Sequence, residues 1–204
     1  MLARITSIST LASTLILAGS ASAAITSTAG QALQIGPPAN SGSGFLTGMT
    51  AFAWDEQTAV AFTGPADMTN NPANNGTAIP GVISGLYDSH FIHFEGIPGI
   101  IGVQGSVTFS APIVAVMFNQ PNLDNSDAPF GAFGTIYPTT DPLRGISAAS
   151  IFSIAGNTLN FQLISTVAVG DFEQIRVLTH AVPAPGIVAT LSIAGGIAAT
   201  RRRR

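Results

Sequence analysis

Val103-Gln104-Gly105-Ser106-Val107-Thr108-Phe109, then Ser110-Ala111-Pro112, then Ile113-Val114-Ala115-Val116-Met117-Phe118 is the stretch on which the fold turns. Val103, Val107 and Phe109 alternate with Gln104, Ser106 and Thr108, the period of two that gives a strand one buried face and one wet face. Ile113 to Phe118 is apolar at every position, which predicts a central strand covered on both faces. Ser110-Ala111-Pro112 makes a turn between the two. Leu159, Phe161 and Leu163 repeat the alternation against Asn160 and Gln162. Further strands are expected near 31–35, 45–53, 57–63, 79–86, 89–95, 132–137, 147–154 and 172–179. No helical period persists, and 22 glycines with 13 prolines interrupt the chain too often for long helices. Short strands whose apolar faces all need covering predict an all-β fold, an antiparallel β-sandwich of jelly-roll-like form. Its longest loops are expected at about 64–78 and 119–131.

Charge is segregated along this chain of 204 residues, whose formal net charge is only −3. There is no lysine and no cysteine, and of seven arginines five lie at the ends, Arg4 and Arg201 to Arg204. A body cut at Ala24 and Val182 holds Arg144 and Arg176 against all ten carboxylates, a net −8. Such a body lacks the basic patch that neutralises phosphates, which excludes nucleic acid as a partner. The expectation is a protein kept soluble by its acidity and repelled by anionic polymers. Without cysteine, thiol catalysis, a Cys zinc site and an iron–sulfur cluster are excluded, and stability rests on one core rather than on disulfides.

The two ends read as targeting segments. Met1 to Ala23 has the form of a signal peptide: Arg4 gives the positive start, Ile5 to Leu17 the apolar run, and Ala21-Ser22-Ala23 the small-residue cleavage site, with cleavage expected after Ala23. The body then covers 24–181. At the other end, Val182-Pro183-Ala184-Pro185-Gly186 precedes the apolar segment Ile187 to Thr200, and Arg201-Arg202-Arg203-Arg204 follows it. As a helix the apolar segment would span about 21 Å, short of a hydrocarbon core of about 30 Å unless residues upstream join it. Four arginines anchor such a segment on the cytoplasmic side.

This layout resembles the PEP-CTERM sorting signal, a proline motif, a transmembrane helix and a terminal arginine cluster paired with a signal peptide. The family's motif has Glu between the prolines; Ala184 stands there, as in the VPAP variant. The resemblance implies passage through signal peptidase, transient membrane anchoring by the helix, recognition by an exosortase, and delivery to the bacterial cell surface or extracellular matrix. The expected function is a structural or adhesive role without enzymatic activity. The alternatives are a carbohydrate-binding module for extracellular polysaccharide and a secreted polysaccharide hydrolase.

Few constellations in the body could carry chemistry. Asn122, Asp124 and Asp127, with Asn119 and Asn125, crowd oxygen ligands that suit Ca²⁺ into one loop, although no EF-hand spacing is present. No other cofactor is expected. Trp54, beside Asp55 and Glu56, is the candidate aromatic platform for a sugar ring. His90 and His93 fall on opposite faces of a strand and cannot share a metal, whereas His93 and Glu95 share a face. Asp171 with Glu173, and Asp55 with Glu56, are the carboxylate pairs open to glycosidase-like chemistry. Arg176 is expected to pair with a carboxylate.

Overall fold

The alternating stretch and the all-apolar stretch lie in different sheets. The computed structural model describes residues 23–69, 78–97, 102–165 and 171–181. The expected signal segment up to residue 22, the proline motif, the segment expected as a transmembrane helix and the arginine cluster lie outside the described residues. Among the described residues no helix is long and apolar enough to cross a membrane.

A four-stranded antiparallel sheet is built from β1 (Ile25–Gly30), β6 (Gly102–Phe109), β10 (Thr158–Ile164) and β9 (Ile151–Ala155), in that order. The larger sheet runs β2 (Ala32–Gln34), β3 (Ala51–Asp55), β5 (Gly81–Glu95), β11 (Phe172–His180), β7 (Ile113–Met117). β4 (Val60–Ala66) pairs with the first half of β5, and β8 (Arg144–Gly145) with the start of β11. β2–β3 and β8–β11 are parallel, which corrects the purely antiparallel expectation.

The sheets share one apolar core. Val103, Val107 and Phe109 of β6 and Leu159, Phe161 and Leu163 of β10 meet Ile92 and Phe94 of β5 and Ile175 and Val177 of β11. Each set comes from alternate positions, as the period of two requires. The opposite face of the larger sheet is covered by α1 (Gln120–Phe130), which inserts Leu123 and Phe130 against Phe91, Met117 and Leu178. The larger sheet is therefore buried on both sides around β11, β7 and the second half of β5, and this explains the unbroken apolar run of β7. β7 is not central, however; it ends the strand order. On its outer edge Met68 exchanges two backbone hydrogen bonds of 3.0 Å with Val116, which covers that part of the edge.

Ser110-Ala111-Pro112 carries the chain from one sheet to the other rather than closing a hairpin. Gly30 does the same between β1 and β2: its φ is +68°, and a Cβ would lie 2.6 Å from the Gln104 carbonyl oxygen. Only glycine fits both conditions.

Four expected elements differ. The separate strands near 79–86 and 89–95 are one strand of fifteen residues, because Asp88 and Ser89 stay in the ladder opposite Thr179 and Leu178. Their side chains are satisfied from other elements and have no need of a turn. The strand expected over 45–53 begins only at Ala51; Glu95 draws the preceding chain out of line by accepting from Ser43 Oγ at 2.9 Å and from Gly44 N–H at 2.8 Å. Residues 132–137 form turns with a single bridge, Asn40 to Ile136, and Phe133 is 99% exposed. Finally, the expected loop over 119–131 contains the helix α1. Pro121 sits in its first turn, where its missing N–H costs nothing. Its entry is capped by Asp67, whose carboxylate accepts from Phe118 N–H (2.7 Å), Asn119 N–H (2.8 Å), Asn119 Nδ2 (2.8 Å) and Asn122 Nδ2 (2.5 Å).

Candidate functional site

The body's two cations lie beneath α1. Arg176 is fully buried, and its five N–H groups are all engaged: Nε and Nη2 on Glu56 at 2.7 and 2.9 Å, Nη2 on Asp127 at 3.0 Å, and Nη1 on Ser126 Oγ at 2.5 Å and the Leu123 carbonyl at 3.2 Å. Its guanidinium lies 4.9 Å over the Phe91 ring centroid. Burial alone would pull its pKa down; the charge and hydrogen bonds of Glu56, then the charge of Asp127, outweigh this and hold it above the usual arginine value. Arg144 is 3% exposed and bonds Asp124 at 2.7 Å, Asp127 at 2.6 and 2.8 Å, and Gln174 Oε1 at 2.8 Å. Tyr137 donates its hydroxyl to Glu56 at 2.5 Å, and burial, followed by the charge of Glu56, raises its pKa. The expected pairing of Arg176 with carboxylates is thus present.

The same contacts decide the calcium reading. Asp124 and Asp127, one turn apart on α1, converge on the Arg144 guanidinium, while Asn122 turns away to Asp67. The three expected ligands do not meet, and the positive charge their carboxylates attract is already supplied by arginine. Among the described residues no group of three or more His, Asp or Glu side chains is placed to hold a metal. Calcium at millimolar concentration is expected to leave the thermal midpoint unchanged, whereas Asp127→Asn lowers it with or without calcium; a calcium-induced rise in differential scanning calorimetry refutes this.

Trp54 has 0% exposure and packs on Phe91 with ring centroids 5.0 Å apart, so it offers no face to a sugar. The histidines divide between the two faces of β5 as expected. His93 accepts at Nδ1 from Gln174 Nε2 at 3.1 Å, which leaves its proton on Nε2, buried and without a partner. Burial lowers its pKa to about 3. Glu95 is engaged instead with Ser43 and Gly44, so His93 and Glu95 form no pair. His90 faces the other way: its Nδ1 lies 2.7 Å from Asp55 and its Nε2 3.2 Å from Thr179 Oγ1. Acid, base and hydroxyl stand in the order of a catalytic relay, yet His90 and Thr179 are both 0% exposed and no substrate atom can reach the hydroxyl. The relay ties β3, β5 and β11 together.

Asp55 and Glu56 diverge, one toward His90 and the other toward Arg176. Glu173 is buried, accepts from Ser147 N–H at 2.9 Å and Ser150 Oγ at 2.7 Å, and is raised to about 7, first by burial and also by the charge of Asp171.

A general rule emerges: the charges point inward. Every one of the ten carboxylates is buried or half-buried, and both arginines of the body are buried. Many of the carboxylates accept backbone N–H groups of residues distant in the chain, a stapling role that disulfides play in small secreted domains. Apart from half-exposed carboxylates such as Asp55 and Asp141 and the exposed His180, the described surface is made of hydroxyls, amides, backbone and apolar groups.

A depression of about 630 Å³ lies on the outer face of the four-stranded sheet. Pairing sets its side chains in rows across the strands. Ala29, Ser106, Asn160 and Ser153 form one row, and Gln104, Gln162 and Ile151 the next. Thr108 and Thr158 close one end with their hydroxyls 2.9 Å apart. Four strands give a width of about 14 Å. The side-chain amides of Gln104, Asn160 and Gln162 make no hydrogen bond within the described residues. Alternation had already marked these residues as the wet faces of 103–109 and 159–163; that the two strands are neighbours has no signal in the sequence.

No protein-family model, no curated protein and no solved structure matches the chain.

Proposed function

We propose that this is an exported bacterial envelope or matrix protein, without enzymatic activity, that adheres to neutral polysaccharide through the outer face of its four-stranded sheet. The observation that carries the adhesive reading is the charge-free outer face of the four-stranded sheet, where the side-chain amides of Gln104, Asn160 and Gln162 make no hydrogen bond within the described residues. Neutral glycans present hydroxyl donors and acceptors without charge, and side-chain amides answer both. The mature body still has the acidic formal charge read from its sequence. That charge repels anionic polymers and does not oppose neutral ones, so the polymer class proposed is neutral. The terminal segments support export and exosortase sorting, with the tail removed at or near Val182-Pro183-Ala184-Pro185.

Binding is measured by co-sedimentation with insoluble cellulose and starch, with alginate as the anionic contrast. Retention on a neutral polymer is expected, and Ser106→Glu together with Asn160→Glu should weaken it about tenfold or more, equivalent to about 1.4 kcal/mol. No retention on either neutral polymer, or retention indifferent to the substitutions, refutes the adhesive reading. Mass spectrometry of surface material tests sorting separately: a carboxyl terminus that still carries Arg201 to Arg204 overturns it.

A further inference from the structure

Asp88 is a buried carboxylate with no cation. It is 1% exposed, lies on β5 and accepts two backbone N–H groups, Ala59 N–H on Oδ1 at 2.6 Å and Ala23 N–H on Oδ2 at 2.5 Å. Both arginines of the body are engaged with other carboxylates, and among the described residues no ion pair reaches Asp88. An ionised carboxylate held away from water is costly unless a positive charge or a full set of hydrogen bonds compensates it. Ala23 is itself 1% exposed, its nitrogen lying directly against Oδ2. The next residue is placed differently: Ala24 N–H donates to Ser110 Oγ at 2.9 Å in an exposed hydrogen bond.

From this we infer that the mature chain begins at Ala23, one residue earlier than the small-residue pattern was read, and that its terminal ammonium is the buried counter-ion of Asp88. The inference rests on the export reading. Both bonds satisfy the small-residue rule, with Ser20 and Ser22 before one and Ala21 and Ala23 before the other. The fold separates them. Hydrolysis of the Ser22–Ala23 bond adds the hydroxyl of water to the Ser22 carbonyl carbon and its hydrogen to the Ala23 nitrogen. The new amine takes a further proton from solvent below pH about 8. One amide N–H against Oδ2 becomes three donors carrying a full charge. Cleavage after Ala23 instead removes the group that Oδ2 binds and leaves the carboxylate with the Ala59 N–H alone.

The absence of lysine makes the test direct, because the terminal amine is the only amine in the protein. The full chain is expressed in a secreting bacterium, and the exported material is subjected to amino-terminal sequencing and to labelling with an amine-selective acylating reagent. The expected results are a start at Ala23, labelling about tenfold or more slower in the native protein than in denaturant, and restored native labelling in Asp88→Asn. A start at Ala24 or at any other body residue overturns the inference and leaves export standing. So does a start at Ala23 with an amine that labels equally fast in both states, even if Asp88→Asn fails to fold. An exported chain that keeps Met1 overturns the inference alone, and a chain found only in the cytoplasm overturns export and the inference together.

Discussion

Arg176→Met is expected to cost about 3–5 kcal/mol, the range for breaking a buried ion pair from one side. The arginine is fully buried and Glu56 has no exposed side-chain surface, so water cannot replace the lost guanidinium. Glu56 would keep only Tyr137 and Ser89 as donors, and the Leu123 carbonyl and Ser126 of α1 would lose their tie to β11. For a domain of this size the thermal midpoint should fall on the order of 10 °C. Arg176→Lys should recover little, because a point charge cannot span Glu56, Asp127 and Ser126 as the planar fork does. Arg144→Met should cost less, since Asp124 and Asp127 keep 14% and 13% side-chain exposure and can recruit water. Combining Glu56→Gln with Arg176→Met should cost clearly less than the sum of the singles. Additive losses in chemical denaturation, or a change for Arg176→Met below 1 kcal/mol, would show that the network is not what holds α1.

Stability is expected to follow pH through two groups working in opposite directions. His93 is lowered to about 3 from an ordinary 6.5, so the fold is favoured above pH 6.5 and loses that contribution as pH falls toward 3. Alone, this amounts to something on the order of 4 kcal/mol. Glu173 is raised to about 7 from 4.5, so its contribution is present below pH 4.5 and is lost as pH rises through 7. Between about 4.5 and 6.5 the two slopes oppose each other, and these groups should leave a plateau there, with a fall on the acid side from His93 and a smaller one near pH 7 from Glu173. Glu173→Gln should therefore stabilise the protein at pH 8 by on the order of 2 kcal/mol and change little at pH 4. Urea melts at pH 4, 6 and 8 measure this. Equal effects at pH 4 and pH 8 would mean that Glu173 keeps an ordinary pKa.

The alternation of 103–109 and of 159–163 identified both strands and their wet faces, which are now the candidate adhesive surface. The opposite orientation of His90 and His93 was equally legible, because strand parity is a local property. Trp54 and the Asn/Asp cluster were misread for one shared reason: burial and charge pairing are settled by partners distant in the chain. Trp54 is covered by Phe91 of another strand. Asp124 and Asp127 are claimed by arginines 20 and 49 residues away. The helix α1 had weak signals in Asn119 before Pro121 and in the spacing of Leu123, Ser126 and Phe130. Its cap comes from Asp67, which no local pattern connects to it.

The sequence by itself determined the all-β class and the acidic balance of the body, because period and composition need no knowledge of neighbours. Only the tertiary structure decided where the charges go. A formal −8 predicts an acidic surface if every carboxylate faces solvent; here the fold turns them inward onto two guanidinium groups and a set of loop N–H groups. Compensating a charge requires proximity in space, and proximity between residues such as Glu56 and Arg176, 120 positions apart, exists only once the sheets are formed.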